Sequence, residues 1–287
     1  MGSSSVLNLH NPGIVFDQGW IDLAPQSASY ESAVSSMAPL PADIRLIASL
    51  LDLTSLNSDD TDSKILALCE DALQPLPNDR TTVAAVCIYP QFLSCLGTWV
   101  KARGIRSATV AGGFPHALGT LDSRCQEINT CAKLADEVDI PIDRRLALQG
   151  EWEELYCQTK DLVNAARGTP VKVILATGEL PDQQSMYRAA TVAMMAGATF
   201  VKTSTGKERV NATLEAGAIL CRAIKDFERR AGYKVGLKPA GGIRTTREAV
   251  AWLQLVRSRL GEEFLTPQYM RFGASTLLDD LRYSMNL

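Results

Sequence analysis

Residues 171–207, VKVILATGELPDQQSMYRAATVAMMAGATFVKTSTGK, show the repeating unit from which the fold is predicted. The stretch opens with a short apolar, β-branched run at residues 171–177 and closes with a second run at residues 200–204. Between the two runs, residues 187–196 have the length and the apolar spacing of an amphipathic helix. A strand, a helix and a second strand in this order predict a βαβ unit with parallel strands.

The same alternation extends outward from this unit in both directions. Short apolar runs begin about 24 to 35 residues apart, which is the length of one strand, one helix and two loops. Eight such runs predict an α/β fold, the (β/α)8 TIM barrel, whose chemistry lies at the C-terminal ends of the strands. An open doubly wound sheet is the alternative, but no GxGxxG motif follows the first run, which disfavours a dinucleotide-binding version of it. The runs are residues 50–53, 83–88, 107–111, 137–142, 171–177, 200–204, 235–239 and 269–273.

The composition of the chain changes near residue 44. Residues 1–44 contain four acidic residues and no Lys or Arg, and 15 of the 44 are Ser, Pro or Gly. We therefore predict that residues 1–44 form an N-terminal extension, partly ordered at most, and that residues 45–287 form the barrel domain. Apolar side chains of the extension, such as Ile14, Phe16 and Trp20, could pack on the barrel surface.

Charge and cysteine content exclude several classes of protein. The net charge of -3 lacks the basic excess of a general nucleic-acid binder. The longest mostly apolar run, residues 191–201, is far shorter than the roughly 20 residues that a membrane-spanning helix needs. Seven cysteines without a CxxC pair, and only two histidines, predict neither a disulfide framework nor a metal site. We expect a cytoplasmic protein without nucleic-acid or membrane partners.

Three lysines, Lys172, Lys202 and Lys238, lie on three consecutive predicted strands. Each alone could reach the barrel mouth or pair with a carboxylate. Together they are costly, because two ammonium groups about 4 Å apart repel by roughly 4 kcal/mol at an effective dielectric of about 20. Repulsion and burial lower the pKa of a lysine and give an amine that can form a Schiff base with a carbonyl. The cluster predicts imine chemistry, but the pattern leaves open which lysine is the nucleophile.

Glycine and hydroxyl residues follow the last three predicted strands. In this barrel, the loops after strands seven and eight often bind phosphate through backbone N–H groups. Tight turns alone would also explain any one of these glycines. Their position on one side of the barrel mouth favours a phosphorylated ligand, with a lysine as counter-charge. The residues are Thr205, Gly206 and Lys207, then Gly241 and Gly242, then Gly273 and Ser275.

Two carboxylates and a cysteine stand on other strands. Asp52 and Asp139 could each neutralise a lysine, or could move protons during an aldol reaction. Cys87 ends the second predicted strand without a His, Asn or acidic partner in a recognisable spacing. This favours a small buried cysteine over a nucleophile.

Several long motifs occur in one order along the chain, and with them the sequence resembles the deoxyribose-phosphate aldolase family. The resemblance extends over about residues 45–278, which is nearly the whole predicted barrel. The most specific motifs lie on the sixth and seventh predicted strands and extend into the loops after them. The motifs are LDLT (51–54), DDT (59–61), VCIYP (86–90), DEVD (136–139), KVI (172–174), TGEL (177–180), FVKTSTGK (200–207), GLKPAGGIRT (236–245) and RFGAS (271–275).

The resemblance implies a class I aldolase without a cofactor, active as a homodimer or larger homo-oligomer. Its small-molecule partners would be a phosphosugar, 2-deoxy-D-ribose 5-phosphate, and acetaldehyde, with D-glyceraldehyde 3-phosphate as the second product. It implies that Lys202 forms the imine, that Lys238 lowers the pKa of Lys202, and that Asp139 moves protons with an ordered water and Lys238. The other implied residues line the pocket, with Asp52, Thr54, Cys87, Lys172 and Thr205 around the sugar and Gly206, Lys207, Gly241, Gly242, Gly273 and Ser275 around the phosphate.

The chain departs from the family pattern at a few positions. Ala176 stands where many members have Glu, and residues 140–143 replace a more apolar run. Two rival functions are a barrel aldolase for another phosphosugar and a phosphosugar-binding barrel without chemistry. The presence of Lys202, Lys238 and Asp139 disfavours the second rival.

Overall fold

The computed structural model describes residues 14–25 and 39–286. Eight short parallel strands are each followed by at least one helix. In chain order the strands are β1 (Leu51–Ser55), β2 (Ala85–Ile88), β3 (Arg106–Val110), β4 (Glu137–Pro141), β5 (Val171–Ile174), β6 (Phe200–Lys202), β7 (Gly236–Lys238) and β8 (Phe272–Ala274).

The strands form a barrel. Consecutive strands pair from β1 to β7, and β8 pairs with β1. Single bridges from Leu237 to Met270 and from Ala240 to Gly273 join β7 to the segment that contains β8, and they complete the ring. The predicted (β/α)8 barrel is confirmed.

Helices surround the barrel, and side-chain caps determine where several of them begin. The sequence predicted a helix at residues 187–196, and α8 (Gln183–Met195) confirms it. Helix α8 begins four residues earlier than predicted, because the Asp182 carboxylate accepts a 2.7 Å hydrogen bond from the Ser185 N–H. The helices are α1 (Gln18–Ile21), α2 (Pro41–Ser49), α3 (Asp62–Leu73), α4 (Gly97–Ala102), α5 (Leu121–Cys131), α6 (Arg144–Gln149), α7 (Trp152–Ala165), α8 (Gln183–Met195), α9 (Leu214–Ala231), α10 (Thr246–Leu260) and α11 (Leu277–Met285).

The fifth strand is shorter than the predicted run at residues 171–177. It ends at Ile174, because Ala176 has a left-handed backbone with φ of 53° and Thr177–Glu179 forms a 3₁₀ turn. The N–H groups of Leu175 and Thr177 still donate 2.9 Å hydrogen bonds to the carbonyls of Lys202 and Thr203, so this segment stays beside β6 after the regular strand has ended. None of the helices in the described ranges has both the length and the hydropathy needed to cross a membrane.

Residues 14–25, which belong to the predicted N-terminal extension, lie against the outer helices. The ring of Trp20 contacts Phe227 of α9 with ring centroids 5.6 Å apart, and Ile21 is fully buried. The hydroxyl of Tyr156 on α7 donates a 2.8 Å hydrogen bond to the Ile14 carbonyl. The predicted boundary between residues 44 and 45 falls inside α2, and residues 1–13 and 26–38 lie outside the described residues.

The barrel interior is divided into an apolar part and a charged part. Side chains alternate between the two faces of a strand, so every second residue of each strand points inward. On β2 and β3 the inward residues are small and apolar, and Cys87 lies among them. Acidic and basic side chains occupy the rest of the interior, and these charges form the site described next.

Candidate active site

Three lysines converge on one carboxylate inside the barrel. The Nζ atoms of Lys202 and Lys238 both lie 2.7 Å from Oδ2 of Asp139. Lys172 Nζ lies 3.1 Å from Oδ1 of the same residue. All four side chains are at most 3% exposed. The site residues inferred from the lysine pattern therefore form one contiguous cluster.

The barrel register explains this convergence. Asp139 on β4 is the direct neighbour of Lys172 on β5, and Lys202 on β6 is the direct neighbour of Lys238 on β7. Lys172 pairs with Phe200, and Lys202 lies two residues further along β6. Because paired residues of adjacent parallel strands, and residues two apart on one strand, point to the same face of the sheet, all four side chains point into the barrel.

A second layer of charge lies beside the cluster. Asp52 contacts Lys238 Nζ at 2.5 Å through Oδ2 and Arg271 at 2.5 Å through Oδ1. Glu137 lies 2.6 Å from Lys172 Nζ and accepts hydrogen bonds of 2.8 and 3.0 Å from Arg271. Together with the cluster around Asp139, these contacts connect the buried charges of β1, β4, β5, β6 and β7 and of Arg271, just before β8, into one network.

Sequence analysis assigned no role to Glu137 or Arg271, although both occur in motifs of the family. The period of two along a strand was the signal that could have found them. Glu137 precedes Asp139 by two residues, and Arg271 precedes Gly273 by two residues. Each therefore points into the barrel on the same face as a residue that was identified.

Burial disfavours the charged form of every group in the cluster, so it lowers the pKa of a lysine and raises that of a carboxyl group. The neighbouring charges decide whether the final shift follows burial or opposes it. Burial and the nearby Lys238 ammonium outweigh Asp139 and lower the pKa of Lys202. Burial also lowers the pKa of Lys238, but Asp139 and Asp52 outweigh it and raise the pKa overall. The pKa of Lys172 is raised in the same way by its three carboxylate neighbours. Among the three lysines, Lys202 therefore loses its proton most easily.

For Asp139, the neighbouring charges act against burial and decide the direction of the pKa shift. Burial acts to raise the pKa of its carboxyl group, but the three lysines outweigh burial and hold the pKa well below its usual range. The Asp139 side chain is therefore an ionised carboxylate at neutral pH. Its two oxygens accept hydrogen bonds from three amines, and their lone pairs can accept one more from a water or a substrate hydroxyl.

A cavity of about 540 Å³ opens above the cluster at the C-terminal ends of the strands. Of Lys172, Lys202 and Lys238, Lys202 alone lines this cavity. The lining includes Thr54 and Thr205 and all six residues predicted for the phosphate end, which are Gly206, Lys207, Gly241, Gly242, Gly273 and Ser275.

The remaining predicted pocket residues do not line this cavity. Asp52 and Lys172 lie within the charge network, and both are fully buried. Cys87 packs among the apolar side chains of β2 and β3, where burial raises the pKa of its thiol. A thiol with a raised pKa is a poor nucleophile at neutral pH. Thr54, which does line the cavity, donates its hydroxyl to the Asp52 carbonyl at 2.7 Å.

The loops predicted to form the phosphate end differ in which N–H groups remain available. The buried Glu208 carboxylate accepts hydrogen bonds from the N–H groups of Thr205, at 3.0 Å, and Gly206, at 3.1 Å. By contrast, the N–H groups of Gly242 and Ser275 have no acceptor within the described parts of the chain. Gly242 has a φ of 84°, a conformation that glycine adopts without strain. Donors for an anion are therefore available after β7 and β8. Glu208 is a site residue that the sequence analysis did not identify.

Comparison with known proteins identifies a family for the part of the chain that forms the barrel. The model of the DeoC/LacD family aldolases matches residues 46–281. Deoxyribose-phosphate aldolase from Mus musculus is 46% identical over 244 residues, which cover 80% of this chain and 77% of that protein. The protein of the same name from Bos taurus is 38% identical over 297 aligned positions, which cover 96% of this chain and 93% of the relative.

Solved structures share the architecture at lower sequence identity. A crystal structure from Toxoplasma gondii ME49 is similar with a TM-score of 0.76 and 22% identity, over 86% of this chain and 95% of that one. The deoxyribose phosphate aldolase from Aeropyrum pernix, described as a tetramer, has a TM-score of 0.67 and 22% identity, over 86% of this chain and 99% of that one. At this identity the similarity establishes the fold alone.

Proposed function

The chain belongs to the DeoC/LacD aldolase family, and we propose that this lyase cleaves 2-deoxy-D-ribose 5-phosphate to D-glyceraldehyde 3-phosphate and acetaldehyde. One observation carries the proposal. A buried lysine with a lowered pKa lines a cavity whose far side presents free N–H groups and Lys207. This arrangement fits an aldehyde with a phosphate at its other end.

Lys202 is the proposed nucleophile. Its neutral amine attacks C1 of the open-chain aldehyde, and loss of water gives the protonated imine. The hydroxyl on C3 then loses its proton, the C2–C3 bond breaks, and the bonding electrons flow into the imine to give an enamine. Release of glyceraldehyde 3-phosphate, protonation of the enamine carbon and hydrolysis free acetaldehyde and regenerate the Lys202 amine.

Asp139, with Lys238 and an ordered water, is the proposed route for these protons. The carboxylate contacts both amines at 2.7 Å, so one group can accept a proton while a neighbour supplies one. Lys238 also supplies the positive charge that keeps the pKa of Lys202 low. Asp52, Thr54, Cys87, Lys172 and Thr205 are proposed to shape the sugar end.

The phosphate is proposed to lie at the end of the cavity lined by Gly206, Lys207, Gly241, Gly242, Gly273 and Ser275. The free N–H groups of Gly242 and Ser275 support this position, as does the ammonium of Lys207. Ser275 stands just before helix α11, where the positive end of the helix dipole favours an anion.

The choice of substrate is tested by comparing donors in the synthetic direction. With D-glyceraldehyde 3-phosphate as acceptor, we expect carbon–carbon bond formation with acetaldehyde and none with dihydroxyacetone phosphate. The reverse preference would indicate an aldolase for another phosphosugar. No reaction with either donor, in protein shown to be folded by circular dichroism, would indicate a binding protein without chemistry.

We further propose a homodimer or larger assembly, a cytoplasmic location and a catabolic direction of flux. The tetrameric description of the Aeropyrum pernix relative supports the assembly. Seven free cysteines support a reducing compartment. Residues 1–44 are proposed to be an extension of the barrel of residues 45–287, and light scattering of a chain without the extension would test whether assembly depends on it.

A further inference from the structure

Arg271 and Glu137 belong to a continuous buried network beneath the candidate active site, which we name the barrel charge network. Its members lie on β1, β4, β5, β6 and β7 and just before β8, and none is more than 3% exposed. They are Asp52, Glu137, Asp139, Lys172, Lys202, Lys238 and Arg271.

The charges of the network do not balance when every member is ionised. Three carboxylates face three ammonium groups and one guanidinium, so one positive charge is in excess. An uncompensated buried charge is expensive, whereas loss of one proton from one lysine makes the network neutral. The guanidinium of Arg271 stays charged in any case, because arginine does not lose its proton in proteins.

The contacts determine which lysine gives up the proton. Lys172 lies within 3.4 Å of three carboxylates, and Lys238 contacts two. Lys202 contacts one carboxylate, Asp139, and otherwise faces Lys238 and the thiol of Cys87. It is the lysine with the least compensation.

Arg271 is linked to Lys202 through a chain of short contacts. Its guanidinium contacts Asp52, Asp52 contacts Lys238, and Lys238 shares Asp139 with Lys202. The other groups that face Arg271 are Glu137, the ring of Phe200 and the carbonyl of Pro267. None of these neighbours supplies a second cation in place of the guanidinium.

We propose that Arg271 is a positioning residue whose charge, opposed by that of Glu137, sets the proton occupancy of Lys202. The proposal rests on the proposed function, in which the neutral amine of Lys202 is the nucleophile. Arg271 does not line the cavity, so it acts through the network and not on the substrate.

The test compares substitutions of opposite sign. In Arg271→Met the positive and negative charges of the network are equal when Lys202 is protonated, so Lys202 should keep its proton to higher pH. The acid limb of the kcat/KM profile for 2-deoxy-D-ribose 5-phosphate, where the rate rises as Lys202 loses its proton, should then move to higher pH. In Glu137→Gln the limb should move to lower pH. Each shift should be about one pH unit, the size expected for one charge at a distance on the order of 10 Å at an effective dielectric of 20.

Two further variants separate charge from structure. Arg271→Lys keeps the charge and should leave the limb within about 0.3 pH unit of the wild type, a margin small beside the shift of one charge. Arg106 contacts the same Glu137 carboxylate at 2.9 Å, but its side chain is 48% exposed. Because solvent screens that charge, Arg106→Met should leave the limb in place.

Limbs that stay in place in both Arg271→Met and Glu137→Gln, or that move in the same direction, would overturn the proposal. If Arg271→Met fails to fold by circular dichroism, the direction of the shift in Glu137→Gln decides. The proposed function fails separately, if the wild-type chain does not cleave the substrate at any pH.

Discussion

At the scale of single residues, two lysines that share a carboxylate oxygen differ by one further contact. Lys202 and Lys238 both lie 2.7 Å from Oδ2 of Asp139, but Lys238 also has Asp52 at 2.5 Å. The second carboxylate stabilises the ammonium form of Lys238 and raises its pKa, whereas the pKa of Lys202 is lowered. The two side chains therefore differ in their resting state, because Lys238 favours the ammonium form and Lys202 gives up its proton more easily.

Replacement of Lys238 should impair the reaction through the protonation state of Lys202. In Lys238→Leu the repelling charge is lost, so the pKa of Lys202 rises and a smaller fraction of the amine is neutral at pH 7. We expect kcat/KM to fall by about 100-fold at pH 7, corresponding to a pKa rise of about two units, and to recover in part as the pH rises. Steady-state rates from pH 6 to pH 10 measure this. A pH profile parallel to that of the wild type would contradict the role.

At the scale of elements, the contact between α9 and α10 holds two helices whose preceding loops form the end of the cavity proposed for the phosphate. Gly217 on α9 lies directly against the ring of Trp252 and against Leu255 on α10, so closely that a Cβ atom at residue 217 would overlap the ring. The short distance between the helices depends on this glycine. The positions of the loops at residues 205–213 and 241–245 depend in turn on the packing of these helices.

Gly217→Ala should therefore destabilise the fold by about 1–3 kcal/mol, because overpacking forces Trp252 or the backbone to move. The free energy of unfolding from urea titration measures this. Lys225→Ala, at an exposed position on the same helix, is the control and should change stability by no more than about 0.5 kcal/mol. Equal stability of Gly217→Ala and the control would show that the interface adapts without strain.

At the scale of the whole molecule, residues 14–25 bind the outer helices far from the chemistry. Trp20 contacts Phe227 near the C-terminal end of α9, and the guanidinium of Arg230 lies 5.4 Å from the Trp20 ring. The candidate active site lies at the other end of that helix, next to the loop that precedes Leu214. A substitution at this contact should therefore lower the stability of the fold and leave the activity unchanged.

Trp20→Ala should lower the free energy of unfolding by about 1–3 kcal/mol, because aromatic and cation–π contacts are lost. We expect kcat and KM for 2-deoxy-D-ribose 5-phosphate to stay within twofold of the wild type. Trp20→Phe, which keeps an aromatic ring, should recover part of the stability. A large loss of kcat in folded Trp20→Ala protein would indicate that the N-terminal segment affects the active site.

The repeat of short apolar runs and helical stretches predicted the architecture. Because this repeat assigns Lys172, Lys202 and Lys238 to three consecutive strands, it also predicted the lysine cluster. It could not rank the three lysines, since the ranking depends on which carboxylates each one reaches across the barrel. The hydrogen bonds of Glu208 depend on the path of one loop, for which the sequence has no periodic signal. The early end of β5 depends on the conformation of Ala176, which is a similar local feature.

Reductive trapping determines whether Lys202 forms a Schiff base with 2-deoxy-D-ribose 5-phosphate. The wild-type chain is incubated with the sugar phosphate and borohydride, and the adduct is located by intact mass and peptide mapping. We predict one reduced adduct on Lys202, and none in Lys202→Leu, which should remain folded without turnover. An adduct on Lys172 or Lys238 instead, or no adduct in folded wild-type protein, would contradict the account.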